Sequence, residues 1–167
     1  MMKRFMRALL CLLMLVIYSF PAFGQGNTIS VNNSEEIAGC WKRINFTPAE
    51  MKKLNQVEAW PLKYQWFCFY PNGDLKTIMT TKGENPTARD LKKALDILPS
   101  AIQYSIPQKG IIYTEHKQAN EKLYWVSAFF PQDVQIGSQK IKKGTLLMTL
   151  RNSSGKDVYY RFLERIK

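Results

Sequence analysis

From Pro107 to the end of the chain, apolar and polar residues alternate with a period of two, and this pattern constrains the fold more than any other feature of the sequence. Successive side chains on a β-strand point to opposite faces, so the alternation is that of strands with one face buried. Gly110 to Glu115, Lys122 to Phe130, Gly144 to Arg151 and Asp157 to Glu164 read as four such strands. They are separated by Gln118-Ala119-Asn120, by a longer loop with Pro131 and Gly137, and by Asn152-Ser153-Ser154-Gly155. Gln135 to Lys140 is a candidate for one more short strand. Hairpin-length breaks select antiparallel neighbours, because parallel strands need long crossovers.

The first half carries the same pattern with helices set into it. Ile37 to Phe46 reads as a first strand, with Ile37, Gly39 and Trp41 on one face and Ala38, Cys40 and Ile44 on the other. Thr47-Pro48-Ala49-Glu50 then stops it and opens a helix to about Asn55: Thr47 caps, Pro48 suits the first helical position and Glu50 completes a capping box. Trp60-Pro61 breaks the pattern soon after. Lys63 to Tyr70 is a dense aromatic strand, Pro71-Asn72-Gly73-Asp74 a turn, and Leu75 to Thr81 the returning strand. Thr87 caps a second helix with Asp90 three residues on, and Leu91, Ala94, Leu95 and Leu98 fall on one face. Pro99 ends it, with an irregular extension to Ile106. Seven or eight strands in this order predict a mostly β fold, an antiparallel barrel or strongly curled sheet with two accessory helices.

The start of the chain reads as a signal peptide over residues 1–24. Lys3, Arg4 and Arg7 precede an apolar run from Ala8 to Phe20, shorter than the roughly 20 residues a membrane span needs. Ala22 and Gly24 supply small residues for cleavage after Gly24. Residues 25–34 are then a polar, flexible leader and 35–167 a single domain. A chain of 167 residues is too short for a multidomain enzyme, and 46% hydrophobic with 13% aromatic residues is too apolar for a disordered one. Cleavage removes Cys11 and leaves Cys40 and Cys68, an even pair that predicts one disulfide in an oxidising compartment. Ile37-Ala38-Gly39-Cys40 has the pattern of a lipoprotein cleavage box, but Asn27, Asn32, Asn33, Ser34, Glu35 and Glu36 separate it from the apolar core, so that reading is rejected. A cross-strand bridge joins residues on one face, which puts Trp41, Phe67 and Phe69 together on the other. The cysteine face also carries Tyr64, Trp66 and Tyr70, so either the helices or a partner must cover it.

Two motifs carry a family resemblance. The opening strand holds Gly39-Cys40-Trp41, a Gly-x-Trp, and the closing strand holds Tyr159-Tyr160-Arg161-Phe162 with Arg165 beyond. The pair resembles the lipocalin-like (calycin) pattern, in which a first-strand Trp sits at the barrel floor under an Arg near the end of the last strand. The turn Phe69-Tyr70-Pro71-Asn72-Gly73-Asp74-Leu75 is similar to that of small exported bacterial lipocalin-like domains. The resemblance covers the ends and the first hairpin, and implies structural roles for Trp41 and for Arg161 or Arg165 over its ring. It does not extend to the middle third, where the helix from Thr87 interrupts the meander.

The inventory for catalysis is thin. His116, the one histidine, stands between Glu115 and Lys117 near a strand end and reads as a solvated loop residue. With the exported cysteines paired there is no thiolate nucleophile, and no Gly-x-Ser-x-Gly elbow presents a serine. Asp90, Asp96, Glu115 and Glu121 show no acid/base spacing, and no calcium loop, zinc cluster or phosphate loop is found, so no catalytic residue, metal or cofactor is assigned. What the chain has is aromatic surface and positive charge. Lys+Arg number 24 against 13 Asp+Glu, and the formal +11 falls to +8 once the three charges of Lys3, Arg4 and Arg7 are removed. Tyr64, Trp66, Tyr70, Tyr124, Trp125 and Phe129, with Trp60 and Phe130, suit an amphipathic anion held with its apolar part on rings and its charge near the basic clusters Lys92-Lys93, Lys140 to Lys143 and Arg161 to Lys167. In an exported protein, periplasmic or secreted, those anions are envelope lipids or acidic partners rather than nucleic acid; scattered lysines also simply keep a small protein soluble. The expectation is therefore a non-catalytic binding protein for a small apolar or amphipathic ligand or an envelope protein or lipid. The alternative is an interaction or inhibitor module with a basic, aromatic surface. Interior volume separates them: a lined empty cavity marks a carrier, and a filled interior with an exposed aromatic patch marks an interaction protein.

Overall fold

The computed structural model describes residues 28–56 and 62–167. The stretch read as a signal peptide, with the cleavage expected after Gly24, lies outside the described residues, as do Cys11, Trp60 and Pro61. The strands are β1 (Ile29–Ser30), β2 (Gly39–Arg43), β3 (Tyr64–Phe69), β4 (Asp74–Thr80), β5 (Ile102–Gln108), β6 (Ile111–His116), β7 (Glu121–Phe129), β8 (Val134–Ile136), β9 (Gln139–Ile141), β10 (Leu146–Arg151) and β11 (Asp157–Arg165). The helices are α1 (Ser34–Ile37), α2 (Pro48–Lys53) and α3 (Ala88–Asp96). Each of β2, β3, β4, β5, β6, β7, β10 and β11 pairs antiparallel with the next, and β11 pairs back to β2 through Leu163↔Arg43, Glu164↔Lys42 and Arg165↔Trp41. The sheet thus closes into an eight-stranded up-and-down barrel, the mostly β fold that the alternation predicts.

Closure sorts every strand by parity. Trp41, Phe67, Phe69, Ile112, Trp125, Met148 and Leu163 face inward and form one core. The outward positions are buried only where something lies over them. Helix α3 covers β2 to β4 through Leu91 and Leu95, which pack on Cys40, Trp66 and Cys68. The second cover combines α2 with the β8–β9 hairpin: Leu54, Ile136 and Ile141 pack on Phe130 and Phe162.

The floor is where the chain ends meet. The Trp41 indole N–H donates to Ile37 O at 2.8 Å, and the Arg165 guanidinium lies 4.3 Å from the Trp41 ring while donating to the carbonyls of Ala38 and Glu36. Gly39 has φ +124°, and a Cβ there would stand 3.1 Å from Arg165 Nη1, so the glycine of Gly-x-Trp answers to both backbone and space.

Several local expectations change. The first strand begins at Gly39, because Ile37 ends α1, whose N-cap Asn33 accepts from Glu36 N. Residues 29–31 are not a loose leader: β1 extends the barrel wall along β7, and Val31 is fully buried. The stretch read as irregular up to Ile106 is β5, with Ile102, Tyr104 and Ile106 turned into the core. Pro107 falls where the β5–β6 register shifts between Ser105 and Gln108, so its missing N–H breaks no ladder bond. Ala94 and Leu98, expected on the packed face of α3, are exposed, since the sheet is touched by the i, i+4 pair Leu91 and Leu95. Gln135 to Lys140 is a two-stranded hairpin rather than one strand.

The second cover is latched by one carboxylate. Glu50 accepts from Thr47 N and Oγ1 and from Ser138 N and Oγ, at 2.7–2.9 Å. Gly137 has φ +61°, and a Cβ there would lie 2.8 Å from Glu50 Oε1. The Ser138 hydroxyl foremost, then the Thr47 and Ser138 backbone amides, hold the Glu50 carboxyl down to about 2, from an ordinary 4.5.

Two outcomes follow. Truncating Trp41 to Ala should cost about 3–5 kcal/mol, read as a fall in melting temperature, since a filled floor position becomes a cavity. Because the folded pKa of Glu50 lies below its unfolded value, its contribution is complete above about pH 4.5 and is lost as the pH falls through about 2. Glu50→Gln should therefore lower the urea midpoint at neutral pH and flatten its acid limb, and an unchanged acid limb would count against the latch.

Candidate functional site

The six aromatics expected to bind ligand do not share one surface. Trp125 and Phe129 point into the barrel, where Phe129 stacks 6.3 Å from Trp41 and the Trp125 N–H donates to Thr114 Oγ1 at 3.1 Å. Tyr64, Trp66 and Tyr70 lie on the outer wall of β3, with Tyr64 and Trp66 stacked at 6.4 Å. Tyr124 stands alone among the six on the outer face of β7, 59% exposed and 4.9 Å from Tyr113. No single small ligand touches all six.

The barrel interior is packed. Above the floor, Arg161 is buried with its guanidinium 4.8 Å from the Phe67 ring, 4.6 Å from Trp125 and 5.8 Å from Tyr159. Burial pushes Arg161 down to about 10, still protonated at neutral pH. The two arginines proposed over Trp41 therefore divide their work: Arg165 covers the Trp41 ring and Arg161 fills the lumen. Arg43 and Gln65 are also buried inside the barrel, the latter donating to Thr77 Oγ1 at 3.4 Å. Both fall at every second residue from Trp41 and Phe67, so the alternation already placed them inside, although sequence reasoning gave them no role. Interior-facing Thr77, Met79, Leu123 and Leu150 are partly exposed at the rim. The core beneath them, Arg161 included, is no more than 8% exposed.

The outer wall under α3 is built by the disulfide. Cys40 and Cys68 stand directly opposite each other, Cα–Cα 4.1 Å apart, and are bonded. Trp66 beside them is 2% exposed, and its indole N–H has no hydrogen-bond partner among the described residues. The Tyr70 hydroxyl donates to Asp96 Oδ1 at 2.9 Å; burial, then Asp96, push it up to about 12. Lys76 Nζ donates to the carbonyls of Leu95, Asp96 and Leu98 at the C-terminal end of α3 and lies 5.6 Å from the Tyr70 ring. This is the favourable place for a cation on a helix. Lys63 stands 5.3 Å from the Tyr64 ring.

The third sector, the outer face of β6 and β7, has neither cover. Its cross-strand pairs are Ile111↔Val126, Tyr113↔Tyr124 and Glu115↔Lys122. His116 closes β6 rather than standing in a loop, and its Nδ1 accepts from Ala119 N at 3.0 Å. Among the described residues no three His, Cys, Asp or Glu side chains are grouped to hold a metal ion, and no helix is long and apolar enough to cross a membrane.

The fold and its surfaces define an eight-stranded antiparallel barrel with a buried core and, among the described residues, covers over two sectors of its outer wall. No family model, curated protein or solved structure gives a significant match to the chain.

Replacing Cys40 and Cys68 together by Ser should cost roughly 3–4 kcal/mol in chemical denaturation, the chain-entropy value for a loop of about this length. In the native, oxidised protein neither cysteine should react with a thiol label.

Proposed function

We propose that this chain is an exported, non-catalytic binding protein that holds its partner on the outer wall of the barrel, through aromatic and basic side chains. The filled interior carries this reading. Trp41, Phe67, Phe69, Trp125, Arg161 and Met148 occupy the lumen to a few per cent exposure, while Tyr124 and Tyr113 stand on an uncovered sheet face. Ligand carriers enclose lined volume, whereas interaction proteins display aromatic patches. The leader Met1 to Gly24 and the Cys40–Cys68 bridge support export to an oxidising compartment. The meander closed over Trp41 and Arg165 supports kinship with lipocalin-like domains. A second reading, a small amphipathic ligand held inside, is favoured by the partly exposed rim residues Met79, Leu123 and Leu150 above the buried Arg161 cation.

Native mass spectrometry of protein purified from its own host separates the two. The expected outcome is a retained component that survives Trp125→Phe but is lost when Tyr64 and Tyr124 are both changed to Ala with the fold intact. Loss on Trp125→Phe, with retention in the outer-wall variant, would overturn the proposal. His116→Ala should leave retention unchanged, because no proton transfer is involved.

A further inference from the structure

The occupant of the wall beneath α3 shows what that wall is built to hold. Leu91 and Leu95 lie among Tyr64, Trp66, Tyr70 and Ile78, and the carbonyl end of the helix rests on Lys76. A helix C-terminus carries about half a negative charge, so α3 presents an apolar body and a negative end to aromatic rings and a lysine. It fits imperfectly. The Trp66 N–H is buried and unpartnered, a group whose desolvation goes uncompensated. Nor is α3 part of the closed ladder: β4 and β5, which it connects, pair only through Asp74↔Gln103 and Leu75↔Ile102. Moving α3 therefore need not open the barrel. Among the described residues its contacts are Ala88, Leu91 and Leu95 on the wall, the Lys76 cap, the Tyr70–Asp96 bond and Ala88 N to Lys167 O, and just beyond it Ile97 is 84% exposed.

We infer that the wall formed by Tyr64, Trp66, Tyr70 and Lys76 is a binding site for a small amphipathic anion, and that α3 is its displaceable cover, mimicking the ligand until the ligand replaces it. The inference rests on the outer-wall reading and names its site and ligand class. On displacement the ligand's apolar chain takes the place of Leu91 and Leu95. Its anionic group takes the Lys76 ammonium from the α3 carbonyls, and an oxygen accepts the Trp66 N–H. Asp96 leaves with the helix, which removes the carboxylate nearest Tyr70, while Lys63 stays at the Tyr64 ring and Lys42, now on Asn85, at the β2 edge.

The test uses the oxidised full-length mature protein with laurate as probe, read by titration calorimetry and amide hydrogen exchange. Laurate should bind and raise exchange in residues 88–96 while β6, β7 and β10 stay protected. Leu91→Ala, which loosens the cover, should tighten apparent affinity several-fold, since affinity scales with the fraction of molecules in the open state. Trp66→Phe keeps the ring and removes the donor, so it should weaken binding about tenfold, the value of one hydrogen bond of ~1.4 kcal/mol. Laurate that binds neither wild type nor Leu91→Ala overturns the inference, as does binding that both substitutions leave unchanged. If laurate instead protects the lumen strands and is lost on Trp125→Phe, the outer-wall function fails with it. If laurate leaves α3 untouched while the retained host component still depends on Tyr124, the α3 site alone fails.

Discussion

The pairing of the first barrel strand with the last is the constraint on which the rest depends. β2 and β11 are far apart in the chain, and Arg165↔Trp41 and Leu163↔Arg43 bring them into register. Each of the seven steps joins barrel strands adjacent in the chain, four of them by short hairpins, and is inexpensive in loop entropy, but this last pairing is not. Its compensation is concentrated at the floor, where the Trp41 ring, the Arg165 guanidinium and the carbonyls of Glu36 and Ala38 meet. With the seam closed, inside and outside are defined for all eight strands, and one parity rule decides which residues are core.

Closure also explains why the chain needs covers. A closed sheet buries its inner face by itself, but the outer face here carries Trp66, Phe162 and Phe130, too apolar for water. The insertions between strands meet that need. α3 and the α2–hairpin pair sit on two outer sectors, the first fastened by Lys76 on helix carbonyls and by the Tyr70–Asp96 bond, the second by Glu50 on Ser138. The two differ in kind. Glu50 is satisfied at four donors and locks its cover, whereas α3, packed through Leu91 and Leu95, leaves the buried Trp66 indole N–H unmet among the described residues. The Glu50-latched cover is architecture, and the one over the aromatic, basic wall is the one we propose a ligand displaces.

The outer-wall reading proposed for this protein follows from its buried lumen. A buried arginine among Phe67, Trp125 and Tyr159 is costly to desolvate and sits on the strand that closes the barrel. It serves the interior as a spacer with a polar head, and the Tyr113–Tyr124 face and the wall under α3 are left as the surfaces with chemistry to offer.

The sequence by itself determined strand parity, the capped starts of α2 and α3, the Asn72-Gly73 hairpin and the pairing of Cys40 with Cys68, because each is set by neighbours within a few residues or by a count of two. It concealed β5, since Pro99 and Pro107 bracket a run whose alternation is otherwise plain, and it concealed α1 and β1, which are too short to show a period. Of the candidate binding residues, strand parity placed Tyr64, Trp66 and Tyr70 on the cysteine face, but the sequence could not decide whether a helix or a partner covers it, nor that Trp125 and Phe129 point inward while Tyr124 points out. Only tertiary structure decided that Arg165 lies over Trp41 while Arg161 fills the lumen, that the interior is packed, and that α3 lies on the disulfide face. Those outcomes depend on which residues meet across the β2–β11 seam and across the wall, distances that no local pattern encodes.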